Sequence, residues 1–180
     1  MKIIIAIFFS FVISTYSNEL SLEQFKKIIK IKQDKVELVK GLKVLPFGKK
    51  TKSTFKYKYP DKDDLEFTLE FEGKTVQGKY LVYRTKFPND PEYVYLVRSY
   101  NVDKKLHINH ILYPNGKFYK AYGKVDKDPR KIKWTTSNDD SKGTGEEIVK
   151  DGKSITTEKY YDLDGKFLFS STISSEVIKD

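Results

Sequence analysis

From Ser53 onward the chain alternates polar and apolar side chains with a period of two. Phe55, Tyr57 and Tyr59 interleave with Lys56 and Lys58, and Leu65, Phe67, Leu69 and Phe71 interleave with Glu66, Thr68 and Glu70. Successive strand side chains point to opposite faces, so this pattern predicts strands with one face buried. Turn signals follow at Glu72-Gly73, the Pro88 to Pro91 loop, Asp103-Lys104, Asn115-Gly116, the Asp126 to Pro129 loop, Asp139 to Gly145, Asp151-Gly152 and Asp164-Gly165. They separate about ten strands with no helical pattern between them, which predicts a mainly β protein, an antiparallel up-and-down meander over residues 53–180. A meander of that many strands closes into a barrel to remove its edges; an open two-sheet sandwich is the alternative. Within it, Asn115-Gly116 joins the runs Leu106 to Tyr113 and Lys117 to Val125, and Asn-Gly supplies the two positive-φ positions of a type I′ turn. Tyr161 to Phe167 echoes this hairpin around Asp164-Gly165, a convergence that hairpin chemistry explains without duplication.

Ahead of the strands, residues 18–41 keep an approximate helical period through Leu22, Phe25, Ile28, Ile29, Val36 and Val39. Ser21 and Gln24 have the spacing of a capping box, and Leu20 with Phe25 that of a hydrophobic staple. One N-terminal helix is expected, with Lys32 interrupting its apolar face, a break near Asp34 and a stop at Gly41, closing one mouth of the β structure.

The first residues change the picture of where this protein works. Met1-Lys2 is a basic start, Ile3 to Ile13 is apolar apart from Ser10, and Thr15-Tyr16-Ser17 suits cleavage, so residues 1–17 read as a secretory signal peptide and residues 18–180 as a single domain. That apolar run is well short of the roughly 20 residues of a membrane span, and the mature chain shows no transmembrane segment. Export to the periplasm or the extracellular space is expected. The chain has no cysteine, so neither a disulfide nor a lipid-bearing cysteine is available. A net charge of +9 is spread over interspersed signs and reads as a Lys-rich solvated exterior, with attraction to an anionic lipid or cell-wall polymer as the second reading. No nucleic-acid module signature is present.

Candidate chemistry is sparse. Arginine occurs only at Arg84, Arg98 and Arg130 among 34 basic residues. Arg84 shares parity with Val76, Tyr80 and Val82, and Arg98 with Val94, Leu96, Tyr100 and Val102. If those apolar faces line a barrel, both guanidinium forks point inward, suited to a carboxylate or phosphate head group, with Tyr80 and Tyr100 beside them. The only two histidines, His107 and His110, lie three apart and so on opposite faces of a strand. They cannot share a metal there, and none is expected. His110 shares parity with Leu106, Ile108 and Leu112, which turns it inward as a possible ligand contact. Tyrosines and phenylalanines suit an amphipathic cavity lining, and they also suit strands in general. No phosphate loop, nucleophile elbow or metalloprotease helix occurs, and no cofactor is implied.

From Tyr80 to the C-terminus the order of features resembles a bacterial family of secreted calycin- or lipocalin-like barrels, mostly of unassigned function. The stretches that carry it are Tyr80-Leu81-Val82-Tyr83-Arg84, Tyr93 to Asn101, Tyr113 to Gly123, Ile132-Lys133-Trp134, Asp151-Gly152-Lys153 and Asp164-Gly165-Lys166. The Gly-x-Trp of calycin first strands has no counterpart here; Pro46-Phe47-Gly48 stands nearest. The resemblance implies a barrel able to hold a small apolar molecule and carries over no catalytic residue. The expectation is therefore an exported, non-catalytic binding protein for a small apolar or amphipathic ligand, held by Arg84, Arg98, Tyr80, Tyr100 and His110. The alternatives are an interaction protein docking its basic surface on an anionic partner, and an enzyme using His110 with a nearby carboxylate.

Overall fold

The computed structural model describes residues 19–45, 50–88, 90–138 and 140–178. The expected signal peptide and the segment Pro46-Phe47-Gly48 lie outside the described residues. The alternating run forms ten strands: β1 (Lys50–Lys58), β2 (Leu65–Val76), β3 (Tyr80–Thr85), β4 (Val94–Asn101), β5 (Leu106–Leu112), β6 (Phe118–Val125), β7 (Lys131–Ser137), β8 (Ser141–Lys150), β9 (Lys153–Asp162) and β10 (Phe167–Val177). Each pairs antiparallel with its neighbours in sequence. β1 also pairs with β10, from Thr51 opposite Val177 to Lys58 opposite Ser170, so the sheet closes into a barrel and the open sandwich is ruled out.

The turns divide by chemistry. Gln77-Gly78 (φ 55° and 62°) and Asp151-Gly152 (φ 52° and 75°) hold both central residues at positive φ, the type I′ signature. Tyr113 to Lys117 does not. Gly116 has φ 82° while Asn115 stays at negative φ, the Gly116 N–H donates to the Tyr113 carbonyl at 3.0 Å, and the Tyr113 N–H donates to the Lys117 carbonyl at 3.0 Å. This is a type I turn followed by a glycine bulge. Pro114 sets it, because its ring holds φ near −65° at the second position and excludes the mirror-image turn. Gly165, at φ 90°, repeats the same bonding. One expected break is continuous strand, since Glu72-Gly73 runs on inside β2, and the break expected over Asp139 to Gly145 is shorter than that span, because β8 already begins at Ser141 and takes in Gly143 and Gly145.

The expected helix is shorter than its apolar period suggested. α1 (Leu22–Lys30) carries the full capping box of Ser21 and Gln24, then ends where Ile31 turns extended. Lys74 Nζ reaches from β2 to the carbonyls of Ile29 (2.6 Å) and Ile31, supplying donors and positive charge at the helix C-terminus. Residues 32–39 then run extended along the barrel, with the Asp34 N–H bonded to the Thr75 carbonyl and the Val39 N–H to the Gly78 carbonyl. A single turn, α2 (Lys40–Lys43), follows.

These two pieces have different jobs. α1 does not close a mouth: it lies on the outer wall, where Leu20, Phe25 and Ile28 pack with Val76, Val82 and Val97. The mouth is closed by α2, whose Leu42, followed by Leu45, packs among Leu81, Ile132, Trp134 and Val149 inside the barrel. Phe25 and Leu42 are both fully buried, so each removes one large apolar side chain from water, about 1.5–3 kcal/mol apiece.

Phe25→Ala is expected to lower the unfolding free energy by about 3–5 kcal/mol, measured by urea denaturation of residues 18–180. A loss under about 1 kcal/mol, the range of ordinary surface substitutions, would show that α1 is not docked on the wall.

Candidate functional site: an aromatic barrel cavity

Because side chains alternate along each strand, closure sends one parity of every strand inward. Thr51, Ser53, Phe55 and Tyr57 of β1 therefore face Phe67, Leu69 and Phe71 of β2, Leu96 and Arg98 of β4, and Ser154, Thr156, Glu158 and Tyr160 of β9 across one space. The cavity holds about 750 Å³, within the range of small-molecule sites. Leu45 lies at its floor, and the rim carries Phe87, Asn115, Lys117, Asn138 and Asp140 from the loops at the other end.

Only two of the five residues expected to bind a ligand face the barrel interior. Arg98 lines the cavity. Tyr100 faces the same way one register lower, beneath the floor, with its ring against Gly41 of α2, where an added Cβ would come within 2.3 Å of it. Arg84 is on the outer face, exposed, paired with Glu72 through Nε at 2.7 Å and set over the Tyr93 ring at 4.6 Å. Tyr80 packs on the α1 cluster. His110 is outside as well, fully buried, and accepts a hydrogen bond from the Leu20 N–H at 2.9 Å through Nε2. One physical cause explains all three corrections: α1 covers β3 to β5, so both faces of these strands are apolar, and parity with Val76 or Ile108 points to the helix rather than the interior. His107 is the inward histidine, against Tyr100 at 4.7 Å between ring centres. His110 is thereby removed from the cavity as a catalytic candidate.

The floor is an ion-pair network. Arg98 donates from Nε to Asn109 Oδ1 at 2.7 Å, from Nη1 to Glu147 Oε1 at 3.3 Å, and meets Glu147 Oε2 through Nη2 at 3.2 Å. Trp134 Nε1 donates to the same Oε2 at 3.0 Å, and the guanidinium lies 4.9 Å from the centre of the Trp134 ring. The side chains are 14% and 3% exposed, so the charges need each other; removing either would leave the other buried and unpaired. Inward glycines make room for this floor. At Gly123 a Cβ would fall 2.8 Å from the indole, and at Gly143 one would fall 2.7 Å from the Tyr160 ring. Below the floor, His107 has no hydrogen-bond partner for either ring nitrogen among the described residues, and burial followed by Arg98 pushes its pKa down to about 3.

Above the floor sits Glu158. It accepts hydrogen bonds from the Tyr160 hydroxyl at 3.0 Å and Ser171 Oγ at 3.4 Å. Burial raises its pKa, against the opposing pull of these two bonds. Burial likewise pushes the Tyr57 phenol up to about 12 and raises that of Tyr160. A belt of rings rises from here to the rim: Tyr160 on Phe169 at 4.5 Å, Phe169 by Tyr57 at 5.8 Å, and Tyr57 by Phe67 at 6.0 Å.

Neither acid stood out in sequence. Glu146-Glu147 reads as an acidic pair beside a loop, and on β9 the polar residues Ser154, Thr156 and Glu158 turn inward while Ile155, 49% exposed, faces solvent. A cavity open to solvent inverts the usual pattern, so alternation alone marks the wrong face. The available signal is Gly143 and Gly145 beside a strand carrying Tyr160, since inward glycines on a strand mark a close approach. Among the described residues no group of His, Asp and Glu is placed to hold a metal ion, and no helix is long and apolar enough to cross a membrane.

The buried histidines make an acid-stability prediction. Their folded pKa values, about 3 for His107 and about 4 for His110, lie below the unfolded value of 6.5. The unfolded chain thus binds more protons below that value, and their contribution to stability, complete above it, falls as pH drops toward 4. Each histidine steepens the loss by up to about 1.4 kcal/mol per pH unit. In denaturation curves taken across this window, His107→Leu should remove about half of the histidine-linked slope; an unchanged slope would count against a neutral buried His107.

No protein-family model and no curated protein matches this chain, so the reading of the cavity rests on its own geometry.

Proposed function

We propose that this chain is an exported binding protein that carries a small amphipathic molecule in its barrel. The observation that supports this reading is the cavity itself: about 750 Å³ floored by α2 and Leu45 at one end and rimmed by loops at the other, with rings on its walls and hydrogen-bonding groups below. An apolar body against Phe55, Phe67 and Phe169 gains about 25 cal/mol for each Å² taken from water, and the hydroxyls and acids fix its orientation. Export follows from the leader at residues 1–17, and protein secreted from cells should begin near Asn18 when its N-terminus is sequenced.

The acidic head group expected from Arg84 and Arg98 finds little support. Arg84 is outside, and Arg98 is already engaged by Glu147 and Asn109.

Native mass spectrometry of protein purified from its own host should show a bound small molecule, and a neutral environment-sensitive dye should be displaced by the extracted lipid fraction. Thr156→Phe, which fills the cavity, is expected to weaken dye binding by about tenfold or more, equivalent to about 1.4 kcal/mol, while the outward neighbour Thr157→Phe leaves it unchanged. Equal binding by both variants would place the ligand elsewhere. The docking alternative predicts instead association with anionic vesicles that weakens steeply with salt and ignores Thr156→Phe.

A further inference from the structure

Below the rim, three acidic or basic side chains face the cavity among the described residues: Arg98, Glu147 and Glu158. The first two neutralise each other in the floor. Glu158 is left over. Among the described residues its hydrogen-bond partners are the hydroxyls of Tyr160 and Ser171, and no Lys or Arg comes within ion-pairing distance of it. The charge of Arg98 reaches Glu158 but is offset by that of Glu147, and a half-buried carboxylate with no ion-pair partner of its own favours whatever brings positive charge to it.

The surroundings suit a cation for a second, independent reason. Tyr160 stacks on Phe169 with planes 18° apart, and Tyr57, opposite Ser171 in the β1–β10 ladder, meets Phe169 at a tilt with ring centres 5.8 Å apart. The faces of such rings carry negative potential, which attracts ammonium groups and is strongest where water is excluded. Gly145, directly across the ladder from Glu158, lets the Glu158 stem lie against bare backbone, since an added Cβ would meet the Thr157 carbonyl oxygen at 2.3 Å and Glu158 Cγ at 2.6 Å, and the carboxylate end of that side chain lines the cavity.

Resting on the binding reading above, we propose that the ligand is an organic monocation: an amine-bearing amphiphile whose ammonium pairs with Glu158 beside Tyr160 and Tyr57, its apolar body lying along the ring belt. A carboxylate ligand of the same size would face Glu158 and Glu147 and find its one cation taken. Occupancy by a cation also favours the ionised form of Glu158, so binding releases a proton to solvent wherever the empty site holds one; the raised pKa of this half-buried acid works in the same direction.

Three ligands with one tail separate this inference from its foundation. Isothermal titration of the mature chain with decylamine, decanol and decanoate, each below its aggregation threshold, should give decylamine about tenfold or more tighter than decanol, a difference of about 1.4 kcal/mol, and decanoate weakest. Glu158→Gln should shrink the amine-to-alcohol ratio to near one. Titration of the wild-type chain in two buffers of different ionisation enthalpy, repeated at falling pH, should show proton release with the amine that grows as the pH falls and none with the alcohol, an observation that stands even if the variant does not fold. Decylamine no tighter than decanol, or a preference that survives Glu158→Gln, overturns the cation inference while leaving the cavity a binding site. Failure of all three to bind overturns both.

Discussion

The ladder between β1 and β10 joins the ends of the strand series, with Thr51 set against Val177 and Tyr57 against Ser171. Without it the meander would be a sheet with two exposed edges, and the inward parity of each strand would face water. With it, residues far apart in the chain share one interior, and Tyr57 from the first strand comes to stand beside Glu158 and Phe169 from the last two. The cavity is therefore a product of closure, and each property of its lining depends on that pairing.

Closure also sets the electrostatics. In the interior the effective dielectric is far below that of water, so an ion pair is strong and a lone charge is expensive. Arg98 and Glu147 satisfy this rule by pairing, with Trp134 adding a hydrogen bond to Glu147 and Asn109 one to Arg98. Glu158 satisfies it only in part. The lysines of the exterior do not reach it, and salt screens their influence beyond about 8 Å at physiological ionic strength. Surface charge and cavity charge consequently favour opposite kinds of partner: the outside is basic, and the inside has an acid to spare.

The outer wall carries a second constraint. α1 covers β3 to β5, which buries His110, Val82 and Val97 on the face that would otherwise meet solvent. The Leu20 N–H needs an unprotonated Nε2 on His110 as its acceptor. The docking of the N-terminal segment thus depends on His110 staying neutral at Nε2.

The sequence by itself determined the local structure. Period-two alternation, Asx-Gly turns and the Ser21–Gln24 capping box depend on neighbours a few residues away, and they gave ten strands in order and the start of α1. Pro114 was equally legible in principle, since its fixed φ selects the type I turn over type I′. What only the tertiary structure decided is which parity faces in. Alternation distinguishes two faces without saying what covers each, and here a helix covers one face of β3 to β5 while an open cavity lies behind the other. Arg84, Tyr80 and His110 went to the helix side for that reason, and Glu158, on a strand whose polar residues turn inward, came to the centre. Its neighbours across the barrel wall, Ser171 and Tyr57, are brought to it by pairings between β9, β10 and β1 that no local pattern encodes.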